Sequence, residues 1–238
     1  MTMRLAISGS AGTGKSSLAM ALANSLKLPY LEENFRRRRE NGLVFQNLSR
    51  TDQILLILEL YTEAIEQAAQ HQTGFVQDRC PIDFLAFWLH YGFWSEETPS
   101  ATFFKRAQKD LSYYDRIIIL PWGVFDIKDD GVRSTNCWLQ LKFQSLLEGL
   151  IHRLTPKNLI YWMPDNIDTK QGRLEHLLSN NQLWLIAWLE ASNWYPIIVA
   201  SNTPNTIKTD TRLSMLEFRC VKAITTNSIN VSRKKSGV

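Results

Sequence analysis

The sequence predicts an α/β fold in three layers, with a mainly parallel central sheet flanked on both sides by helices. Short apolar runs alternate along the chain with longer segments of helical periodicity, the pattern of strands joined by crossover helices. The first apolar run, 3–8, ends in a glycine-rich turn that leads directly into a helical segment. The chain has 238 residues, 45% of them hydrophobic, with 11 glycines and 8 prolines. That suffices for a sizeable core and excludes collagen-like, low-complexity and mostly disordered architectures.

Each element follows from its own pattern. Segment 3–8 is a central strand, and 16–26 is a helix with Leu18, Leu22 and Leu26 four apart. Segment 28–32 is a second short strand, followed by a charged stretch, 32–41, that contains Arg36, Arg37, Arg38 and Arg39 in succession. Thr51-Asp52 marks a helix start, and Ile54, Leu55, Leu58, Tyr61, Ile65 and Ala68 carry that helix to 70. Gly74 ends it. Segment 75–77 is a strand that delivers Asp78 and Arg79 at its tip, and Pro81 opens the next helix, to about 91. Segment 102–113 is helical, 114–121 a strand, 122–135 a loop and 136–154 a helix. Further on, 159–163 and 196–200 are strand candidates, while 172–178, 183–189 and 213–224 are helical. No repeat or linker interrupts the chain, so one domain is expected over 1–231, with a flexible basic tail at 232–238.

Lys and Arg number 27 against 23 Asp and Glu, a net charge of +4. This suits an anionic ligand but is too small to indicate nucleic acid by itself. Cys80, Cys137 and Cys220 form no CxxC pair, and His71, His90, His152 and His176 are scattered. A disulfide framework or zinc cage is therefore not expected, and a reducing compartment is. The chain enters its first strand without a secretory leader, and Glu190, Asn193 and Pro196 interrupt its most apolar stretch, 183–200. A soluble, cytoplasmic protein with no membrane segment is the expectation.

Gly9-Ser10-Ala11-Gly12-Thr13-Gly14-Lys15-Ser16, followed by Ser17, fits GxxxxGK[ST] at every fixed position, between a strand and a helix. A triphosphate needs several donors converging on a small volume. The backbone N–H groups of a glycine-rich turn supply them, and the positive end of the following helix adds to them. Lys15 reaches the β- and γ-phosphates, and the Ser16 hydroxyl coordinates Mg²⁺. ATP or a related nucleoside triphosphate, bound with Mg²⁺, is the expected ligand, and the P-loop NTPase fold the expected architecture.

Further segments carry a resemblance. Phe75-Val76-Gln77-Asp78-Arg79-Cys80-Pro81-Ile82-Asp83 is similar to the D/E-R-S/C-P-x-D element at a strand end of small-molecule P-loop kinases. Leu28 to Arg36 resembles the E-x-x-R segment after the first helix in the NadR-type (nicotinamide-riboside-kinase-like) group of P-loop ATPases and kinases. Tyr114 to Pro121, then Asp129-Asp130-Gly131-Val132-Arg133, resembles that group's element leading into a lid over the nucleotide, here about 122–135. The resemblance spans roughly 3–150.

It implies a catalytic set of Lys15, Asp78 and Arg133. Asp78 either holds Mg²⁺ with Ser16 or takes the proton of an attacking hydroxyl, the alternative being a cap on the helix that begins at Pro81. Arg79 clamps substrate or forms a strand-end salt bridge. Glu33 and Arg36 face the acceptor, unless 32–41 is a solvated charged loop. Arg37, Arg38 and Arg39 extend the cluster, which suits an acceptor that already carries phosphate, or a polyanion. Arg133 closes on the transferring phosphate or merely pairs with Asp129 and Asp130. The aromatic residues Phe84, Phe87, Trp88, Tyr91, Phe93 and Trp94 are assigned to core packing rather than to a stacking wall. Either 163–166 or 201–204 holds the adenine.

The resulting expectation is an ATP-dependent phosphotransferase acting on a small nucleoside-, nucleotide- or ribosyl-like acceptor. Two rivals remain: a P-loop ATPase or nucleotide-binding regulator with no acceptor, and a polynucleotide 5′-kinase suggested by Arg36 to Arg39. The chain lacks an evident hhhhDE strand, which argues against a remodelling motor.

Overall fold

A computed structural model describes residues 3–126 and 134–179. Arg133, with Asp129 and Asp130, lies outside the described residues, as do the strand expected at 196–200, the helices at 183–189 and 213–224, the loop 201–204 and the tail 232–238.

The described elements run β1 (Arg4–Ser8), α1 (Lys15–Leu26), β2 (Tyr30–Leu31), α2 (Asn34–Glu40), α3 (Arg50–Gln70), β3 (Phe75–Asp78), α4 (Pro81–His90), α5 (Glu97–Asp110), β4 (Arg116–Ile119), α6 (Cys137–Leu154), β5 (Ile160–Trp162) and α7 (Lys170–Ser179). The strands form one parallel sheet in the order β2-β3-β1-β4-β5. Both faces are covered, as the continuous apolar strands require. Leu5, Ile7, Val76 and Ile118 pack on one side with Leu18 and Leu22 of α1 and Leu177 of α7. Ala6, Phe75, Ile117 and Ile119 pack on the other with α3, α4, α5 and α6. The alternation within β1 and β4 is the period of two that a strand imposes. This is the three-layer P-loop NTPase fold.

Local sequence explains the boundaries. Ser49 caps α3, its hydroxyl accepting from the Asp52 N–H, so that helix starts just before the Thr51-Asp52 signal. Asn136 caps α6 through the Trp138 N–H. Gly74 has φ +128°, and a Cβ there would lie 2.8 Å from the Met3 carbonyl oxygen, so only glycine fits beside β1.

The charged stretch 32–41, for which a solvated loop stood as the alternative, contains α2, which buries none of its residues and so shows no apolar period. The helix expected at 102–113 begins already at Glu97 and gives way at Leu111–Tyr113 to one 3₁₀ turn. Its first turn, Glu97-Thr98-Pro99-Ser100, is too polar to show in a hydrophobic pattern.

In the β1–β3 register Ile7 lies opposite Asp78, and in the β1–β4 register Ser8 lies opposite Ile119. The turns after β1 and β3 therefore leave the sheet side by side, and the Arg79 N–H donates to the Ile7 carbonyl at 3.0 Å. Crevices beyond the carboxyl ends of parallel strands are where such sheets bind ligands.

Candidate nucleotide and acceptor site

The loop after β1 is shaped by its glycines. Gly14 takes φ +86° as it enters α1, and a Cβ there would press on the Phe125 ring at 3.2 Å. A Cβ on Gly9 would lie 3.0 Å from Thr13 Oγ1. Lys15 Nζ and Thr13 Oγ1 both donate to the Ser10 carbonyl, at 2.7 and 2.9 Å, which holds the ammonium across the loop.

Two side chains that the sequence reading did not single out fix this loop from outside. Gln144 of α6, 2% exposed, accepts from the Ser10 N–H at 2.7 Å and donates to the Leu120 carbonyl at 3.0 Å. Arg173 of α7, 1% exposed, donates to the Thr13 carbonyl at 2.7 Å and to the Ile167 carbonyl at 3.1 Å. Its guanidinium lies 4.4 Å from the centre of the Phe125 ring, and burial pushes its pKa down. Gln144 left a trace in the sequence: it and Gln140 are four apart on the apolar face of α6. Arg173, a single arginine on a short helix, left none. Because Arg173 joins the Ile167 and Thr13 carbonyls, the turn 163–167 after β5 lies against the outer side of the P-loop.

Beside the loop, the Ser16 hydroxyl donates to Asp78 Oδ2 at 2.5 Å, while Asp78 Oδ1 is buried and has no hydrogen-bond partner among the described residues. A buried acceptor left unmatched is costly unless a ligand satisfies it. A hydroxyl and a carboxylate side by side are hard oxygen donors of the kind Mg²⁺ takes, with phosphate oxygens and water completing its shell. Ser16 and Asp78 thus fit the cation. Asp78 does not cap α4: the cap is Cys80, whose N–H donates to Asp83 Oδ2 at 2.9 Å.

Arg79 sits at φ +82°, a conformation that costs a non-glycine residue about 1–3 kcal/mol and that surrounding contacts must hold. Those contacts are ion pairs with Asp83 at 3.2 Å and Glu33 at 3.7 Å, and the Phe87 ring 4.7 Å beneath the guanidinium. Asp83, fully buried, also accepts from the Ser8 hydroxyl, which ties the pair to the end of β1. The salt-bridge reading of Arg79 therefore describes its contacts, and the residue still reaches the site. Burial alone would lower its pKa, but Glu33, Asp83 and Asp78 outweigh it, so the guanidinium stays charged.

Glu33 caps α2, accepting the Phe35 N–H at 2.9 Å. Burial raises its carboxyl above the ordinary glutamate range, against the pull of Arg79 and with Asp78 adding to the rise.

These groups meet in one cavity of about 560 Å³, whose walls include Lys15, Ser16, Glu33, Arg36, Asp78 and Arg79. Ala11 of the loop also lines it, whereas Ser17 is exposed one position further along α1. Arg36 faces the cavity while paired with Glu40 at 2.7 Å. The aromatic set divides. Phe84, Trp88 and Phe93 are core, as expected, and Trp94 is 63% exposed. Phe87 of α4 and Tyr91 at its C-terminal cap pack against the core and also line the cavity, with nearly parallel rings at 6.1 Å. A helix of this kind shows one face to the core and the next to the crevice, and apolar spacing alone cannot tell them apart.

Among the described residues no helix is long and apolar enough to cross a membrane. A search of curated proteins finds no match to this chain. A structure of NadR protein in complex with NR aligns over 90% of this chain and 53% of its own, with TM-score 0.56 and 18% identity. A structure of NadR in complex with NAD and AMP-PNP aligns over 90% and 52%, also with TM-score 0.56 and 18% identity. The chain thus spans about half the length of NadR. Deoxyadenosine kinase from M. mycoides with bound dATP aligns over 76% of this chain and 100% of its own, with TM-score 0.55 and 13% identity. At such identities the likeness is one of fold. A sequence family model described as an AAA domain matches residues 4–162, from β1 through β5. With that match covering the P-loop, Asp78 and every strand of the sheet, the chain belongs to this AAA-domain family of P-loop proteins.

Proposed function

We propose that this protein is a kinase that transfers the γ-phosphoryl group of Mg·ATP to a hydroxyl of a small nucleoside-, nucleotide- or ribosyl-like acceptor. One observation carries the reading: the phosphate-side groups Lys15 and Ser16, the acceptor-side groups Glu33 and Arg79, and Asp78 all open onto a single cavity. The neighbouring folds whose printed ligands are NR and dATP support an acceptor of this class.

The chain's own residues divide the work. The P-loop amides and Lys15 hold the triphosphate so that the γ-phosphorus faces the acceptor side. Ser16 and Asp78 would hold Mg²⁺, which would neutralise phosphate charge there. This assigns Asp78 to the metal, because it already accepts from Ser16, and leaves Glu33 to take the proton of the acceptor hydroxyl. The bond from the γ-phosphorus to the β–γ bridging oxygen breaks, and its electron pair leaves with ADP. A new bond forms to the acceptor oxygen, whose proton passes to the Glu33 carboxylate. Arg79 keeps Glu33 in place, and Arg133, in the segment after Asp126, is proposed to close on the phosphates.

Arg37 pairs with Glu32, and Arg38 with Glu59 and Glu63, which removes most of the positive face that a polynucleotide would need. Purified protein given γ-labelled ATP and a panel of ribosides is expected to label an acceptor. ATP binding with no labelled acceptor would instead favour the acceptor-free ATPase.

A further inference from the structure

The arginine run of α2 is more than a charged surface. Three of its members have carboxylate partners: Arg36 with Glu40 at 2.7 Å, Arg37 with Glu32 at 3.0 Å, and Arg38 with Glu59 at 2.9 Å and with Glu63. The Arg38 pairs tie the helix to α3, and the other two occupy Glu32 and Glu40, which also border the cavity. Asp78 is held by Ser16, and Glu33 by Arg79. Arg39, half-buried in the cavity wall, has no carboxylate within ion-pair distance among the described residues.

Tyr91 lines the same cavity. Burial raises the phenol's pKa, against the pull of Arg39 and Arg79. The hydroxyl stays protonated as a donor, and no described residue accepts from it. A guanidinium and a phenol thus line the cavity that Glu33 also lines, and no described residue accepts from either. Water satisfies such donors in an open cavity, but an oxyanion satisfies them with charge-assisted bonds, which are roughly twice as strong as neutral ones.

Resting on the kinase reading above, we infer that the acceptor carries an anionic oxygen group, a phosphate monoester or a carboxylate, bound by Arg39 and Tyr91 of the acceptor cavity. The group lies at the end of the acceptor away from the hydroxyl that Glu33 deprotonates, or on the reacting phosphate itself if a monophosphate is the nucleophile. In the second case the attacking oxygen is already ionised and no proton passes to Glu33.

Four arms test this with the full chain: neutral ribonucleosides, the carboxylated ribosides nicotinate riboside and orotidine, nucleoside 5′-monophosphates, and nucleoside 3′-monophosphates. One anionic arm should exceed its neutral counterpart in kcat/KM by about tenfold or more, the scale of one charge-assisted bond. Arg39→Gln should lower that anionic-to-neutral ratio about tenfold, mostly through KM, and Tyr91→Phe should lower it less. The carboxylate and phosphate arms tell the two sources apart. Calorimetry of the same compounds in the presence of Mg·ADP needs no turnover. Tighter anionic binding that Arg39→Gln removes sustains the subsite even if no transfer occurs, in which case the kinase reading fails alone. Equal or better use of neutral acceptors, or an anionic preference that survives in Arg39→Gln, overturns the inference.

Discussion

Asp78 and Glu33 are two carboxylates in one cavity with opposite tasks, set by their partners. In the proposed reaction Asp78, held by the Ser16 hydroxyl, is given to the metal, and Glu33, buried with a raised pKa, to the acceptor. Asp78→Asn should keep nucleotide binding within a few-fold and lower kcat by about 100-fold or more, as expected when a group acting mainly in the transition state is lost. Nucleotide titration beside steady-state kinetics reads both. For Glu33 the sign of the pH effect follows from its shift. The carboxylate accepts a proton only when ionised, so activity should fall as pH drops through a pKa above the usual glutamate range. Glu33→Gln should remove that acidic limb and lower the plateau by about 10²–10⁴-fold; a limb that persists in the variant would assign it to another group. At this scale the sequence was clear where chemistry dictates spacing, as in Gly9 to Ser16 and Asp78-Arg79. It did not show that α4 is capped at Cys80, whose N–H Asp83 accepts, rather than by Asp78, because either carboxylate stands close enough to its first turn.

The P-loop depends on elements that arrive late in the chain. Gln144 of α6 and Arg173 of α7 hold Ser10 and Thr13, so the loop's shape is set by helices packed on opposite faces of the sheet. Gln144→Leu would leave the Ser10 N–H and the Leu120 carbonyl buried and unpaired, a loss of about 1–3 kcal/mol for each group that water cannot reach. Thermal unfolding should shift down, and the rise in Tm on adding Mg·ATP should shrink. Arg173→Met keeps the volume and removes the donors to the Thr13 and Ile167 carbonyls. Nucleotide affinity should fall about tenfold, on the scale of a charge-assisted bond, and calorimetry checks it. No motif encodes these contacts, since they join residues far apart in sequence. Helix α2 was hidden for a different reason: ion pairs rather than an apolar face hold it to α3, and periodicity registers only the latter.

Over the whole molecule, the class of fold was legible because buried parallel strands read as short apolar runs between amphipathic helices. The strand order was not, since pairing β3 between β2 and β1 is a long-range choice with no local signature. That order nonetheless makes the site, setting the turns after β1 and β3 side by side so that the phosphate-binding loop and Asp78-Arg79 open onto the same crevice. Phosphoryl transfer rather than hydrolysis should be the result of two ligands sharing that space. The most direct test is ³¹P NMR of the purified protein turning over Mg·ATP with its best acceptor. ADP and phosphorylated acceptor should appear in equal amounts, with little free phosphate; inorganic phosphate matching ADP whatever acceptor is present would contradict phosphoryl transfer.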